Sequence, residues 1–321
     1  MRELKIDKND ASQRLDKYLK KLLKESGSGF IYKMLRKKNI TLNDKKADGT
    51  EILSVNDSIK IYFSDETYEK MHGTASFEVS ERAASWEGDE PEVVYEDEHI
   101  LIVDKPAGIL SQSDRSGEAS VNDWLKLRFG GNGTDQAAFT PSVCNRLDRN
   151  TSGLVLCAKT YAGSRYLSGV IKDHSLRKYY LALAEGDMEG SAVLEGIWKK
   201  DEKNNKVSVR PLPKNAVSGK IPDGYVKTAY RVLKKKNGFS LLELELFTGR
   251  SHQIRAHLAS IGHPLAGDIK YGGHPYKGRG HKLCAYKLVF PESDGEFYQL
   301  SEREFTVKNY NGFWKDEKKD N

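Results

Sequence analysis

The segment Asn145-Arg146-Leu147-Asp148-Arg149-Asn150-Thr151-Ser152-Gly153 places one carboxylate, Asp148, between two arginines. Flanking guanidinium groups favour the charged form of an acid, so Arg146 and Arg149 are expected to keep Asp148 ionised. Thr151, Ser152 and Gly153 can cap and tighten the turn that carries it. An anionic carboxylate in a basic pocket suits attack on, or charge stabilisation of, an electron-poor sugar carbon. The spacing is also compatible with an ion pair that only holds the turn. A second segment, Arg177-Lys178-Tyr179-Tyr180-Leu181, alternates as a strand does, with Lys178 and Tyr180 on one side and Tyr179 and Leu181 on the other. A tyrosine facing a site can stack on a base and hydrogen-bond through its hydroxyl, or simply pack in a core. A third, Thr248-Gly249-Arg250-Ser251-His252-Gln253-Ile254-Arg255-Ala256-His257-Leu258, carries two guanidinium groups and two imidazoles. His252 and His257 are five residues apart, whereas a zinc-binding helix presents its pair at i and i+4, so no metal site is expected.

These groups need a scaffold, and the surrounding sequence supplies it. Leu154-Val155-Leu156-Cys157-Ala158 reads as a buried strand behind Asp148, and Ile100-Leu101-Ile102-Val103 as another, ending in the turn Asp104-Lys105-Pro106-Ala107-Gly108. Val121–Leu127 reads as a short amphipathic helix, and Leu241–Phe247 as a strand. That strand runs into a helix with an apolar face of Ile254, Leu258 and Ile261, closed by Gly262 with Pro264 beyond. Arg255 falls beside or opposite that face. The fold class expected is α+β, with a central mixed, mostly antiparallel sheet around a basic cleft.

The chain has 321 residues, enough for two domains; it is 38% hydrophobic and 31% charged, which excludes collagen, extended disorder and a disulfide scaffold. No apolar run approaches the ~18 residues of a membrane span. The first residues mix charges without an apolar stretch, so no signal peptide is expected. Cys144, Cys157 and Cys284 are odd in number and far apart, which fits a reducing cytoplasm. The net charge of +6 is unevenly placed: 1–63 carry +6, 64–98 carry −10 and 99–321 carry +10. Two basic blocks around an acidic strip fit a polyanion binder better than a small-metabolite enzyme. Residues 64–91 read as a mostly extended acidic linker, and 311–321 as a frayed tail.

The first 63 residues form a unit of their own. A helix capped by Ser12 is expected through Leu15, Tyr18-Leu19 and Leu22-Leu23, broken at Ser26-Gly27-Ser28-Gly29. A second begins near Phe30, with Ile31, Met34 and Leu35 on one face and Lys33, Arg36, Lys37 and Lys38 largely on the other. Short strands follow, with turns at Asn43-Asp44 and Asp48-Gly49. Gln13-Arg14-Leu15-Asp16-Lys17-Tyr18-Leu19, Ile31-Tyr32-Lys33-Met34-Leu35-Arg36, Ile40-Thr41-Leu42-Asn43 and Val55-Asn56-Asp57-Ser58-Ile59 resemble the S4 RNA-binding domain. The resemblance implies RNA binding through Arg14, Lys17, Lys33, Arg36 and Lys37. The triplet Arg-Leu-Asp occurs at 14–16 and again at 146–148, but only the second precedes Thr-Ser-Gly and a buried strand. Asp16 falls in the first turn of a helix, where a carboxylate suits the dipole, and is assigned a structural role.

Across 92–292 the chain resembles the RluA family of pseudouridine synthases. The resemblance is carried by Arg146-Leu147-Asp148 with Thr151-Ser152-Gly153 and by Lys178-x-Tyr180. Gly249-Arg250-Ser251-His252-Gln253-Ile254-Arg255, Gly262-His263-Pro264 with Gly267-Asp268 and Tyr271-Gly272, and Lys105-Pro106-Ala107-Gly108 complete it. Asn145 stands where the family usually has His, and Cys284 where His is common. With the S4-like start, the resemblance points to the large-subunit rRNA branch. It implies a 92–310 catalytic domain that isomerises uridine in RNA, 23S rRNA above all, without cofactor or metal. Asp148 is then the nucleophile or acid–base group, Arg255 pairs with it, Tyr180 stacks on the flipped uracil, and Arg146 fills the vacated stack. A cytoplasmic monomer is expected. The rival readings are a non-catalytic S4-type or ribosome-associated RNA-binding protein, and a metal-dependent nuclease using the histidines.

Overall fold

The computed structural model describes residues 1–8, 10–72, 90–114, 116–129, 139–204, 206–212, 221–278 and 280–308. The tail at 311–321 and most of the linker lie outside these residues.

Two separate sheets are built. The small one has the order β1 (Arg2–Lys5), β4 (Ser58–Ile61), β2 (Ile40–Leu42), β3 (Lys45–Lys46), and every pairing is antiparallel. Asn43 and Asp44, both at positive φ, make the two-residue turn between β2 and β3, as that turn type demands. Helices α1 (Leu15–Leu22) and α2 (Ser28–Arg36) bury Leu15, Leu19, Leu22, Ile31 and Leu35 against this sheet. The cap of α1 is Arg14, not Ser12; Ser12 sits at φ 63, outside any capping geometry. A further helix, α3 (Asp65–His72), occupies the start of the segment expected to be extended. Its Asp65 and Glu66 complement the N-terminal dipole. Tyr68 is buried on the first unit's core, with the Arg2 guanidinium 4.1 Å from its ring. Acidic composition masks its one buried anchor, Tyr68.

The large sheet runs β11 (Lys206–Pro211), β10 (Ser191–Asp201), β12 (Tyr225–Lys236), β13 (Phe239–Leu246), β9 (Arg177–Glu185), β14 (Leu283–Val289), β8 (Ser152–Ala158), β6 (Ile100–Lys105), β5 (Glu92–Glu96). β7 (Ser142–Val143) pairs with β8, and β15 (Glu304–Thr306) with β14. All pairs are antiparallel except β14 with β8. The strand period of two sorts the core onto two faces. Leu101, Val103, Val155, Cys157, Tyr180 and Ala182 join one cluster. Ile100, Ile102, Leu154, Leu156, Tyr179 and Leu181 join the other. Helices α4 (Val121–Phe129) and α6 (Gln253–Ser260) cover the first face through Trp124, Leu125, Ile254 and Leu258. α5 (Tyr161–Lys172) covers the second through Leu167 and Val170. Ile261, expected on the apolar face of α6, is its C-cap and is exposed.

The one parallel pairing depends on a glycine. Gly153, at φ 112, lies opposite Ala285, and a Cβ there would sit 2.3 Å from the Ala285 carbonyl oxygen. Two buried imidazoles also bind this framework: His281 to the Thr151 hydroxyl at 2.8 Å and His257 to the Thr228 hydroxyl at 2.9 Å. Burial lowers both to about 4.

Gly153→Ala adds left-handed strain to a backbone clash and is expected to cost about 3 kcal/mol in urea unfolding. The histidines set an acid limit. Their folded pKa lies below the unfolded 6.5, so between 6.5 and about 4 the unfolded chain binds more protons than the folded one. Stability therefore falls as the pH drops through that window, by about 1.4 kcal/mol per unit for each histidine. Urea titrations at pH 7 and 4.5 should show His281→Gln losing about 2 kcal/mol less than the parent across the interval.

Candidate active site

Asp148 lies in the turn between β7 and β8, closed by the Thr151 amide donating to the Asp148 carbonyl at 3.0 Å. The turn is clasped on both sides of the acid by residues 105–111. Ser111 Oγ accepts from the Leu147 amide at 3.0 Å and donates to the Leu147 carbonyl at 3.1 Å. On the other side the Gly108 amide donates to the Arg149 carbonyl at 2.9 Å, and Arg149 Nε donates back to Gly108 at 3.1 Å. Beneath them Lys105, with no exposed surface, donates from Nζ to the carbonyls of Pro106, Ile109 and Arg149 at 3.0, 2.9 and 3.0 Å. Burial pulls its pKa down to about 8, against the opposing pull of Asp148 and Asp104.

The cation on Asp148 comes from far along the chain. Arg255 of α6 donates from Nη1 to Asp148 Oδ2 at 2.8 Å. Its Nε and Nη2 grip both oxygens of Asp268, each at 2.8 Å. Arg255 and Asp268 are 7% and 2% exposed, while the Asp148 side chain keeps 24% of its surface. Burial alone would disfavour the guanidinium charge; the bonds and charges of Asp268 and Asp148 outweigh it and push the Arg255 pKa up. The flanking arginines do not form the expected pair. Arg149 bonds Glu118 at 2.9 Å, and Arg146 is exposed with no carboxylate partner among the described residues. The carboxylate is left to a group brought by the fold.

His252 caps α6 at φ 54, with Nε2 3.8 Å from Asp148 Oδ1 and Nδ1 2.9 Å from the Tyr271 hydroxyl. That hydroxyl also accepts from the Val207 amide at 3.0 Å. Burial lowers the His252 pKa, in keeping with a neutral ring. The Arg255 guanidinium stands 4.9 Å from the Tyr271 ring. Tyr180 projects from β9 onto the same face of the sheet and is 7% exposed. Burial, and then the charge of Asp148, push its phenol up, which keeps the hydroxyl protonated at neutral pH.

Asp148, Arg255 and Tyr180 thus converge, whereas Arg146 stays at the rim. Lys105, Asp268, Tyr271 and His252 join them without having been assigned a role from sequence. Their only sequence signal is membership of the Lys-Pro, Gly-Asp, Tyr-Gly and Ser-His-Gln motifs. Of the two departures, Asn145 holds β8 by accepting from the Leu156 amide at 2.7 Å. The Cys284 thiol is buried and pushed up to about 12, so it is unreactive. In the first unit Lys17, Lys33, Arg36 and Lys37 are exposed, with no carboxylate partner among the described residues. Arg14 instead bonds Asp16 through Nε at 3.0 Å and Nη2 at 3.2 Å. Among the described residues no group of three or more His, Cys, Asp or Glu could hold a metal ion, and no helix is long and apolar enough to cross a membrane.

A family model described as RNA pseudouridylate synthase matches residues 99–260. The chain is 32% identical over 298 residues to an uncharacterized RNA pseudouridine synthase of Mycoplasma genitalium, covering 89% of this chain and 88% of that one. It is 31% identical over 306 residues to the ribosomal large subunit pseudouridine synthase C of Vibrio cholerae, covering 94% and 90%. Among solved structures, human RNA pseudouridylate synthase domain containing 4 shares the fold at TM-score 0.54 and 19% identity, over 69% of this chain and 89% of the other. With the family's segment containing both the Asp148 turn and Arg255, and relatives aligned over nearly the whole length, the chain belongs to the RNA pseudouridylate synthase family, in its RluA branch.

Proposed function

We propose that this protein isomerises uridines of large-subunit ribosomal RNA, 23S rRNA in bacteria, with Asp148 as the catalytic carboxylate. The single observation that carries the proposal is the Asp148–Arg255 contact at 2.8 Å beside the buried phenol of Tyr180. A buried arginine that orients one partly open carboxylate is what a charge-stabilising centre needs, because the oriented charge costs no reorganisation during reaction. Breaking the bond between uracil N1 and ribose C1′ leaves positive character on the sugar, which the Asp148 carboxylate opposes. The uracil turns, C5 bonds to C1′, C5 loses its proton and N1 gains one, so the product is an isomer. No electron or water is consumed, and no cofactor is called for.

The target base must leave its stack, at a cost of a few kcal/mol. The protonated Tyr180 phenol offers the uracil a flat apolar face and a hydroxyl. Exposed Arg146 can stack in the vacated space. The basic helices of the S4-like unit at 1–63 anchor RNA phosphates through Lys17, Lys33, Arg36 and Lys37, with Arg14 placed by Asp16. One chain supplies Asp148, Arg255 and Tyr180, so a monomer suffices, and a ribosomal RNA substrate places the protein in the cytoplasm. Relatives named for the large ribosomal subunit support this choice of RNA. A non-catalytic RNA-binding protein would need the basic helices but not a buried guanidinium whose N–H groups are taken by two carboxylates.

Asp148→Asn keeps the size and loses the charge. Tritium release from C5-labelled rRNA transcript is expected to fall roughly 10³-fold or more; release near the parent rate would overturn the assignment. Neutralising Lys33, Arg36 and Lys37 together should lower the slope of log Kd against log salt by about 2. An unchanged slope in filter binding would remove the anchor role from α2.

A further inference from the structure

The β10–β11 hairpin lies beside the active site, and two hydrogen bonds pin it there. The Val207 amide donates to the Tyr271 hydroxyl at 3.0 Å, and Trp198 Nε1 donates to the Ser251 carbonyl at 3.0 Å. Trp198 is half-buried, packed with the cluster of Val207, Ala256 and Tyr271. Ala256 belongs to α6, the helix that carries Arg255. Ser251 immediately precedes His252, whose Nε2 stands 3.8 Å from Asp148 Oδ1. The indole is therefore anchored one residue away from a group that faces the acid.

The residue on the other side of Ser251 is Arg250. It is exposed, and its guanidinium carbon stands 5.7 Å from the Trp198 ring. Its backbone is held: the Arg250 amide donates to Gln253 Oε1 at 3.1 Å, and the Thr248 hydroxyl donates to the same oxygen at 2.9 Å. At the start of this loop Phe247 is also exposed, with Lys227 Nζ 5.2 Å from its ring. Lys227 is answered by Glu195 at 3.7 Å, whereas Arg250 meets no carboxylate among the described residues. The hairpin does not need the Trp198–Arg250 contact as a strut, because two hydrogen bonds and the buried Val207 already hold it. At an exposed site such a cation–ring contact contributes only ~0.5–1 kcal/mol. What the pair offers is a fixed indole beside a planar cation whose charge is unanswered. Both are flat groups on which a nucleobase can stack, and an anionic backbone would supply the missing charge.

We propose that Trp198 and Arg250 form a stacking site for an unpaired nucleobase that neighbours the target uridine in the RNA. The site rests on the RNA substrate proposed above and extends it to a second base. Turning one base out of its stack leaves its neighbours without a partner face. A ring already held in place meets such a neighbour with little ordering left to lose on binding. Stacking of this kind tolerates any base, since every base presents a π-face. The site acts on binding and not on the chemical step, because neither side chain touches Asp148 in the structure.

The test uses the full-length chain with Asp148→Asn, so that binding is read without turnover, and unmodified large-subunit rRNA transcript as the probe. Trp198→Leu and Trp198→Phe both lose the bond to Ser251, but only the second keeps a flat aromatic face. Trp198→Leu is expected to raise Kd about tenfold, and Trp198→Phe to restore it to within about threefold of the parent. The slope of log Kd against log salt should stay the same in both. Arg250→Gln should also weaken binding and lower that slope by about 1. Tyr298→Leu, which removes an exposed aromatic elsewhere, should leave Kd and slope unchanged. With Asp148 restored, Trp198→Leu should raise KM by the same factor as Kd. Unchanged Kd in Trp198→Leu would overturn the stacking site, and so would equal losses in the leucine and phenylalanine variants, which would make Trp198 a prop for the hairpin. Failure of the parent to bind the transcript would overturn the RNA reading itself. Turnover by Asp148→Asn at the parent rate would sink the catalytic assignment while leaving the Kd comparison intact.

Discussion

The site depends on how Arg255 divides its hydrogen bonds. Two of its nitrogens are committed to the buried Asp268, and the third reaches out to Asp148. A buried guanidinium is tolerable only when paired and hydrogen-bonded. Asp268 meets most of that need, and the fork geometry fixes the plane and direction of what remains. Three segments are thereby bound to one another: the turn before β8, helix α6 and the turn at 267–271. Lys105 performs the complementary task from below. It brings a buried ammonium, bonded to three carbonyls, to the back of the same turn. Two buried cations therefore fix a carboxylate that itself stays partly open.

The sheet makes this possible by where it breaks its own pattern. An antiparallel meander would keep the start of β8 away from β14. The parallel pairing at Gly153 and Ala285 brings them together, and only a residue without Cβ allows the approach. The Asp148 turn directly precedes that contact. Thr151, one step earlier, is tied to His281, two residues before β14 begins at Leu283. The acid is thus positioned within a few residues of three independent restraints: the parallel pairing, the Lys105 clasp and Arg255.

Much of this architecture was legible in the sequence, and what was not has a common cause. The buried strands at 100–103 and 154–158, the alternation around Tyr180 and the helix after Gly249 followed from period and punctuation. Those are local properties. Asp148's partner is not local: spacing points to Arg146 and Arg149, one or two residues away, whereas the contact is made across 107 residues with Arg255, the partner that the family resemblance implies. Asp268 and Tyr271 were visible as motif members, but a motif says which residues matter and not which face one another. Helix α3 was missed for another reason. The composition of 64–91 is dominated by acidic and small residues, and a single buried tyrosine, Tyr68, disappears in it.

The repeated triplet shows how far a local motif determines its own chemistry. At 14–16 the arginine folds back onto its own aspartate, and the Tyr32 hydroxyl adds a bond at 2.8 Å. Burial alone would raise the Asp16 carboxyl; the Tyr32 and Arg14 contacts outweigh it and hold the pKa below the usual value. At 146–148 the same three residue types behave oppositely. Asp148 is claimed by Arg255, and Arg146 is left exposed at the rim. Carboxylate and arginine pair locally only where the fold brings no stronger competitor. In the first unit the pair closes and joins α1 to α2 through Tyr32. In the second, a buried fork from another helix outcompetes the neighbour, and that competition leaves one guanidinium facing solvent beside an oriented acid. The identity of the triplet is the same in both places; the third partner decides whether the pair closes locally or the acid is held from another helix.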